Sequence, residues 1–238
     1  MFFGEGAARL FGVHHPPEAA PLEAAVLLCA PGEHEGNAAH RPLKRLAELF
    51  ARAGVHVLRF DWRGTGDSAG ETGAGDPAQW ADDVRAAARE LVDLSGVRAL
   101  SVVGLRLGGA LAARACATGL RVRDLVLWEP VASGRAYLAE LETADARRNL
   151  QLLHPRSPKE ELLGFPLSPR QREELARLEV AGAGPLAARR VLLFASAERP
   201  ADQALQKALV AAGARCELHL SVGEPLPALV SAITARAA

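Results

Sequence analysis

The chain is poor in several residue types at once. It has one methionine, one tyrosine and three cysteines, and only three of its 28 basic residues are lysines: Lys44, Lys159 and Lys207. The cysteines, Cys29, Cys116 and Cys216, are odd in number and widely spaced, which excludes a disulfide framework and a Cys-x-x-Cys metal knuckle. Each lies in an apolar run, where a buried free thiol is expected. No apolar run comes near the roughly 20 residues of a membrane span. The opening Met1-Phe2-Phe3-Gly4-Glu5-Gly6 lacks the basic-then-apolar pattern of a secretory leader, so a cytoplasmic location is expected. Net charge is also absent: 28 Lys+Arg balance 28 Asp+Glu. No overall field recruits nucleic acid or an anionic membrane. Subtracting three lysines from 28 basic residues leaves 25 arginines, which reads as the coding bias of a GC-rich genome.

What is present is ordinary for one globular domain over residues 1–238: 49% hydrophobic and 24% charged residues, enough length to bury about 70% of the unfolded surface. Apolar runs of strand length alternate with amphipathic segments of helix length. Strands are expected at 24–30, 55–60, 99–103, 124–128, 190–195 and 215–220. Helices are expected at 41–53, with Pro42 in the first turn and Gly54 as the stop, and after the Asp76-Pro77 cap until Gly96. Further helices are expected at 107–118, 202–212 and 227–235. This alternation implies an α/β fold with a mostly parallel sheet covered on both faces. Residues 134–185, charged and broken by Pro155, Pro158, Pro166 and Pro169, read as a small helical cap inserted between two strands. The first 20 residues read as an antiparallel edge hairpin.

The most informative segment runs from the strand at Leu100 into Gly104-Leu105-Arg106-Leu107-Gly108 and then a helix. Strand, Gly-x-Ser-x-Gly and helix form the nucleophile turn of the α/β-hydrolases, whose flanking positions leave no room for side chains. Here the centre is Arg106. Phe60-Asp61-Trp62-Arg63-Gly64-Thr65-Gly66-Asp67-Ser68 is similar to a turn of the same superfamily, and Cys29-Ala30-Pro31-Gly32-Glu33 occupies the place of its oxyanion loop. On these segments, together with Leu10–Pro17, Val57–Asp61 and Leu127–Val131, the chain resembles the α/β-hydrolases over nearly its full length. More narrowly it resembles the small hydrolase-like proteins associated with exosortase A systems.

The resemblance implies a triad completed by an acid and then a histidine. The acid place holds Glu198 and Asp202. The histidine place holds Ser221-Val222-Gly223-Glu224, with no histidine, and His219 comes too early. Arginine keeps its proton and has no lone pair to attack with, so Ser-His-Asp chemistry is not supported. Arg106 would instead stand at a helix N-terminus, an anion-binding arrangement. Two roles are open for it. It anchors a carboxylate or phosphate, or it pairs with an internal carboxylate, Glu224 first and Glu33, Glu35 or Glu198 as rivals.

Other candidates have plain alternatives. Gly32, Glu33, His34, Leu105, Leu107 and Gly108 would line the ligand site, with backbone N–H groups at Gly32/Glu33 and Leu107 as oxyanion donors. Cys29 is expected to be core, His34 and His40 to be loop or cap residues, and Ser68 and Asp61 to stabilise a turn. Gly64-Thr65-Gly66 lacks the third glycine of a dinucleotide fingerprint. The seven histidines show no metal spacing, and no cofactor is expected. Leu150, Leu152, Leu153, Leu162, Leu163, Phe165 and Leu167 would either line an acyl pocket or pack the cap, and would also serve cap-to-cap dimerisation. The expected function is therefore a non-hydrolytic binder of a small anionic or acyl ligand, or an accessory protein of a biosynthetic or export cluster. The alternatives are an esterase or thioesterase using non-standard groups and an interaction scaffold whose pocket an Arg106–Glu224 pair closes.

Overall fold

The computed structural model describes residues 1–71, 75–150, 161–221 and 225–235, apart from the Glu33 side chain. In chain order the elements are β1 (Phe2–Phe3), β2 (Leu10–His15), β3 (Ala25–Cys29), α1 (Glu33–Arg52), β4 (His56–Phe60), α2 (Pro77–Ser95), β5 (Leu100–Leu105), α3 (Leu107–Ala117), β6 (Val122–Trp128), α4 (Gly134–Leu150), β7 (Glu161–Leu162), β8 (Phe165–Pro166), α5 (Pro169–Ala176), β9 (Ala188–Ala195), α6 (Pro200–Ala211), β10 (Cys216–Leu220) and α7 (Leu226–Thr234).

Eight strands form one sheet in the order β1-β2-β4-β3-β5-β6-β9-β10. The β1–β2 and β2–β4 pairings are antiparallel, so the opening hairpin sits at the sheet edge as expected, and the remaining strands are parallel. Central strands are buried on both faces. Leu27, Val102, Leu125 and Leu193 point into a core shared with α2 and α3, and Val26, Val103, Val126 and Leu192 into one shared with α1 and α7. This is why their sequences are continuous apolar runs. The fold is that of the α/β-hydrolases.

The α2 start follows its sequence signals. Asp76 accepts the Gln79 N–H at 2.9 Å, Pro77 takes the first turn, and Gly96 ends the helix at φ 70°. The α1 start does not. The helix expected over 41–53 begins at Glu33, and Pro42 lies inside it. Ala39, Leu43, Leu46, Ala47 and Phe50 form one buried stripe against the sheet. That packing carries the helix through a residue that removes one hydrogen bond.

A buried polar staple fixes α7. Arg190 donates to Asp124 at 2.8 Å and to the Ala232 carbonyl at 2.8 Å, and Ser101 donates to Asp124 at 3.1 Å. The 134–185 segment runs between β6 and β9 and contributes α4, the β7–β8 hairpin and α5. Leu138, Leu141, Leu162, Leu167, Leu175 and Leu178 seat it on the α2–α3 side of the sheet. Leu150, expected at a pocket or packing surface, is 88% exposed. It ends α4 beyond the last buried turn. Leu152 and Leu153 lie outside the described residues.

Candidate functional site

β5 ends in a turn that only a restricted set of residues can make. A Cβ on Gly104 would come within 2.4 Å of the Gly109 Cα, and one on Gly108 within 2.3 Å of the Ala30 carbonyl oxygen. Both flanking glycines are therefore required by close backbone approach. Between them Arg106 caps α3 at φ 52°, ψ −121°, a strained conformation for a side-chain-bearing residue. Its N–H donates to the Trp128 carbonyl at 2.9 Å, which ties the strained residue to the end of β6.

The Arg106 side chain is 17% exposed and held from two directions. Nε donates to Glu35 Oε1 at 2.9 Å and Nη2 to Glu140 Oε1 at 2.5 Å. Glu35 lies in the first turns of α1 and Glu140 on α4. The guanidinium also sits 5.5 Å over the Tyr137 ring, whose hydroxyl donates to Glu35 Oε2 at 3.1 Å and lies 3.3 Å from His34 Nε2. Burial alone would lower the Arg106 pKa, but the hydrogen bonds and charge of Glu140 and Glu35 outweigh it and hold it above the ordinary arginine value. Burial pushes Tyr137 up, and the Glu35 charge adds to that. Burial holds His34 below the usual imidazole value, with Arg106 adding to the shift and Glu35 opposing it. At neutral pH the paired guanidinium thus stands beside a neutral imidazole and a neutral phenol.

A second ion-pair group stands beside it at the ends of β6 and β9. Arg199 engages Asp202 with Nε–Oδ2 at 2.6 Å and Nη2–Oδ1 at 3.0 Å, and reaches Glu129 at 3.0 Å. Glu129, itself at φ 48°, accepts the Ser196 N–H at 2.5 Å. Asp202 is only 2% exposed, and its fork-to-fork pairing leaves it no free edge toward a substrate. Glu198 accepts from Gln203.

Between the turn and the 134–185 insertion lies a small cavity of about 60 Å³. Gly32, His34, Leu107, Trp80, Tyr137 and Leu141 line it, with Leu162, Phe165, Leu167 and Leu175 adding apolar surface and Arg63 and Gln171 polar groups. The N-termini of α1 and α3 thus meet at one cavity. Their first N–H groups have no partner within their own helices.

The sequence profile of the serine aminopeptidase S33 family matches residues 23–183, more than half of the chain. The chain belongs to the serine aminopeptidase S33 family. No curated protein sequence matches it. Among solved structures the S33 chain is similar to a thermostable carboxyl esterase from Bacillus coagulans in complex with glycerol, at 15% identity and TM-score 0.68, covering 99% of this chain and 96% of that one. It is also similar to an alpha-beta serine hydrolase homologue from Coxiella burnetii, at 14% identity and TM-score 0.65, covering 100% and 96%. Est1E from Butyrivibrio proteoclasticus with bound ferulic acid matches at 18% identity and TM-score 0.65, covering 95% and 93%. At these identities the likeness shows the fold.

Within this S33 member, the structure brings together Arg106, Glu35, His34, Gly32 and Leu107 from the sequence-derived candidates. Leu105 is half-buried and packs toward the α1 face, and Gly108 packs on the β3 backbone. Glu198 and Asp202 are engaged elsewhere, as described. Glu224 and the Glu33 side chain lie outside the described residues. Sequence reasoning missed Glu140 and Tyr137. Glu140 sits 34 residues from Arg106 on a mostly exposed helix, and no local pattern marks that contact. Tyr137 carried one signal, as the only tyrosine in the chain. Cys29 is fully buried, and burial raises its thiol far above the range in which a thiolate forms at neutral pH. Ser68 donates to the Asp61 carbonyl at 2.6 Å and accepts the Phe11 N–H at 2.9 Å, a turn role. Among the described residues no group of three or more His, Cys, Asp or Glu side chains is arranged to hold a metal ion.

Proposed function

We propose that this S33 member is a non-hydrolytic α/β-hydrolase-fold protein that binds the short apolar portion of a small, acyl-type ligand beneath the 134–185 insertion, which acts as a cap. In this reading Arg106 stands where hydrolases of the fold carry their nucleophilic serine. The observation that carries it is the guanidinium at 2.9 and 2.5 Å from Glu35 and Glu140. A protonated, doubly paired arginine supplies neither an attacking lone pair nor a free anion anchor. The same pairing turns the ligand expectation away from an anionic group at Arg106, since two carboxylates already face it. Apolar walls at Trp80, Leu141 and Leu162 favour a short hydrocarbon portion, and the paired helix N-termini suit a carbonyl oxygen beside it. The segments similar to exosortase-associated proteins extend this reading to an accessory role beside a biosynthetic or export system.

Turnover of p-nitrophenyl acetate, p-nitrophenyl butyrate and a short acyl thioester tests the reading. Wild-type protein is expected to show no rate above buffer and no labelling by a fluorophosphonate. One observation favours a hydrolytic alternative: neutral His34 lies at the cavity wall within reach of Tyr137. A fluorophosphonate-resistant rate that falls at least tenfold in His34→Ala would overturn the non-hydrolytic reading and assign His34 as a base acting on water.

A further inference from the structure

A second concavity, larger than the first and meeting it at Phe165, lies between α1 and the turn that follows β4. It encloses about 560 Å³, within the usual range for a small-molecule site. Phe11, Val13, Leu28, Leu43, Phe60 and Trp62 give it an apolar body. Arg59 lines it, projecting from β4 opposite Val13 of β2.

Arg59 differs from most of the partly buried arginines. Arg63, Arg106, Arg123, Arg190 and Arg199 each lie within 3.1 Å of a carboxylate oxygen. Among the described residues Arg59 has no ion pair, and its side chain makes one hydrogen bond, from Nε to His15 Nε2 at 3.2 Å. That bond occupies the inner edge of the fork and requires His15 to be neutral. Burial and the Arg59 charge both lower the His15 pKa, in keeping with this. The two Nη nitrogens are left without a protein partner. Burial also holds the Arg59 guanidinium below its ordinary value, because the charges of Asp61 and Glu48 do not make up for the lost water. Arg106 shows the opposite balance. Among the described residues Arg59 is thus a half-buried guanidinium with no carboxylate within ion-pair distance and with its Nη edge open to the groove.

We propose that this groove is a ligand site, next to but distinct from the cavity beneath the 134–185 insertion, for a monocarboxylate with an apolar body, its carboxylate received by the Arg59 Nη pair. A planar carboxylate matches the free end of the guanidinium fork with two parallel hydrogen bonds. A single negative charge on the ligand is favoured over two. Asp61 and Asp67 also border the groove, and a phosphate dianion would face both of them with one cation in support. Asn37, His40 and Thr65 supply further polar groups at the same rim.

Isothermal titration of the full chain with octanoate and 4-phenylbutyrate tests this, with 1-octanol and 4-phenylbutanol as uncharged counterparts. The acids are expected to bind at least tenfold more tightly than the alcohols. Arg59→Gln, which keeps a hydrogen-bonding amide without the charge, should weaken the acids at least tenfold. Val13→Trp, at a position already 37% exposed, should fill the groove and block binding while Arg59 stays in place. Circular dichroism establishes that each variant is folded, and Val13→Trp carries the test if Arg59→Gln is not. The proposal is overturned by acids and alcohols binding alike, by wild-type affinity retained in either folded variant, or by no binding of either acid at millimolar concentration. The ester and thioester assay above is read independently, so failure of one proposal leaves the other standing.

Discussion

Arg106 combines backbone strain with side-chain pairing, and the two can be separated. A non-glycine residue at φ 52° carries a conformational cost of about 1–3 kcal/mol. The side chain repays it by holding Glu35 and Glu140. Arg106→Ala keeps the strain and removes the pairing, so a loss of about 2 kcal/mol in urea unfolding is expected. Arg106→Gly removes both and should recover about 1 kcal/mol of that loss. Equal stability of the two variants would mean the turn is unstrained. Glu140 is 58% exposed and screened by water, whereas Glu35 is 25% exposed and also accepts from Tyr137. Glu35 is therefore the partner that fixes the guanidinium.

Among the elements, α1 decides how the site is assembled. If α1 began at Arg41, Glu35 and His34 would lie in a preceding loop with no fixed direction. Because it begins at Glu33, both sit in its first two turns, at the cavity and at Arg106. The helix spans Pro42, which donates no N–H and crowds the preceding turn. Pro42→Ala restores a donor at a half-buried position without altering the apolar stripe. Thermal or urea unfolding should show stabilisation of about 1 kcal/mol, with the gain in helix reduced by the greater freedom of the unfolded chain. A loss of stability would mean that the proline ring packs in a way alanine does not replace. On the far side of the turn, α3 needs no such continuity. Its nine buried residues make it the central helix of the α2–α3 face.

Across the whole molecule, several half-buried imidazoles set the response to acid. Burial is the first cause holding His14, His15, His34 and His56 below the usual value of 6.5. His14 and His56 also touch, Nε2 to Nδ1 at 3.2 Å, so protonating one disfavours protonating the other. A histidine with a depressed folded-state pKa binds its proton more readily when unfolded. Stability is then fully present above the unfolded value near 6.5 and falls as pH drops below it. The melting temperature at pH 5.5 is expected to lie below that at pH 7.5, with a smaller difference in a His14→Phe, His34→Phe double variant. An unchanged melting temperature across that interval would show that these histidines titrate normally. Asp83, raised by burial against its Arg63 partner, works in the opposite direction in the acid carboxylate range.

The residues reveal the layers of this protein far better than its partnerships. The apolar runs at 24–30 and 124–128 read as strands buried on both faces, and Asp76, Pro77 and Gly96 mark the ends of α2 by local chemistry. Gly104 and Gly108 identify a turn with no room for side chains, and its centre is visibly an arginine. These features are local or periodic, so the sequence by itself determines an α/β fold with a mostly parallel sheet and a close-packed turn centred on Arg106, and its resemblance to the α/β-hydrolases implies the narrower fold. Tertiary structure alone decides which charges meet. Glu35 and Glu140 reach Arg106 from 71 and 34 residues away, and Asp202 is drawn off by Arg199. The same packing leaves the half-buried Arg59 without a carboxylate partner among the described residues. Ion pairing depends on side-chain distances of a few ångströms between elements remote in the chain, and hydrophobic periodicity carries no information about those distances.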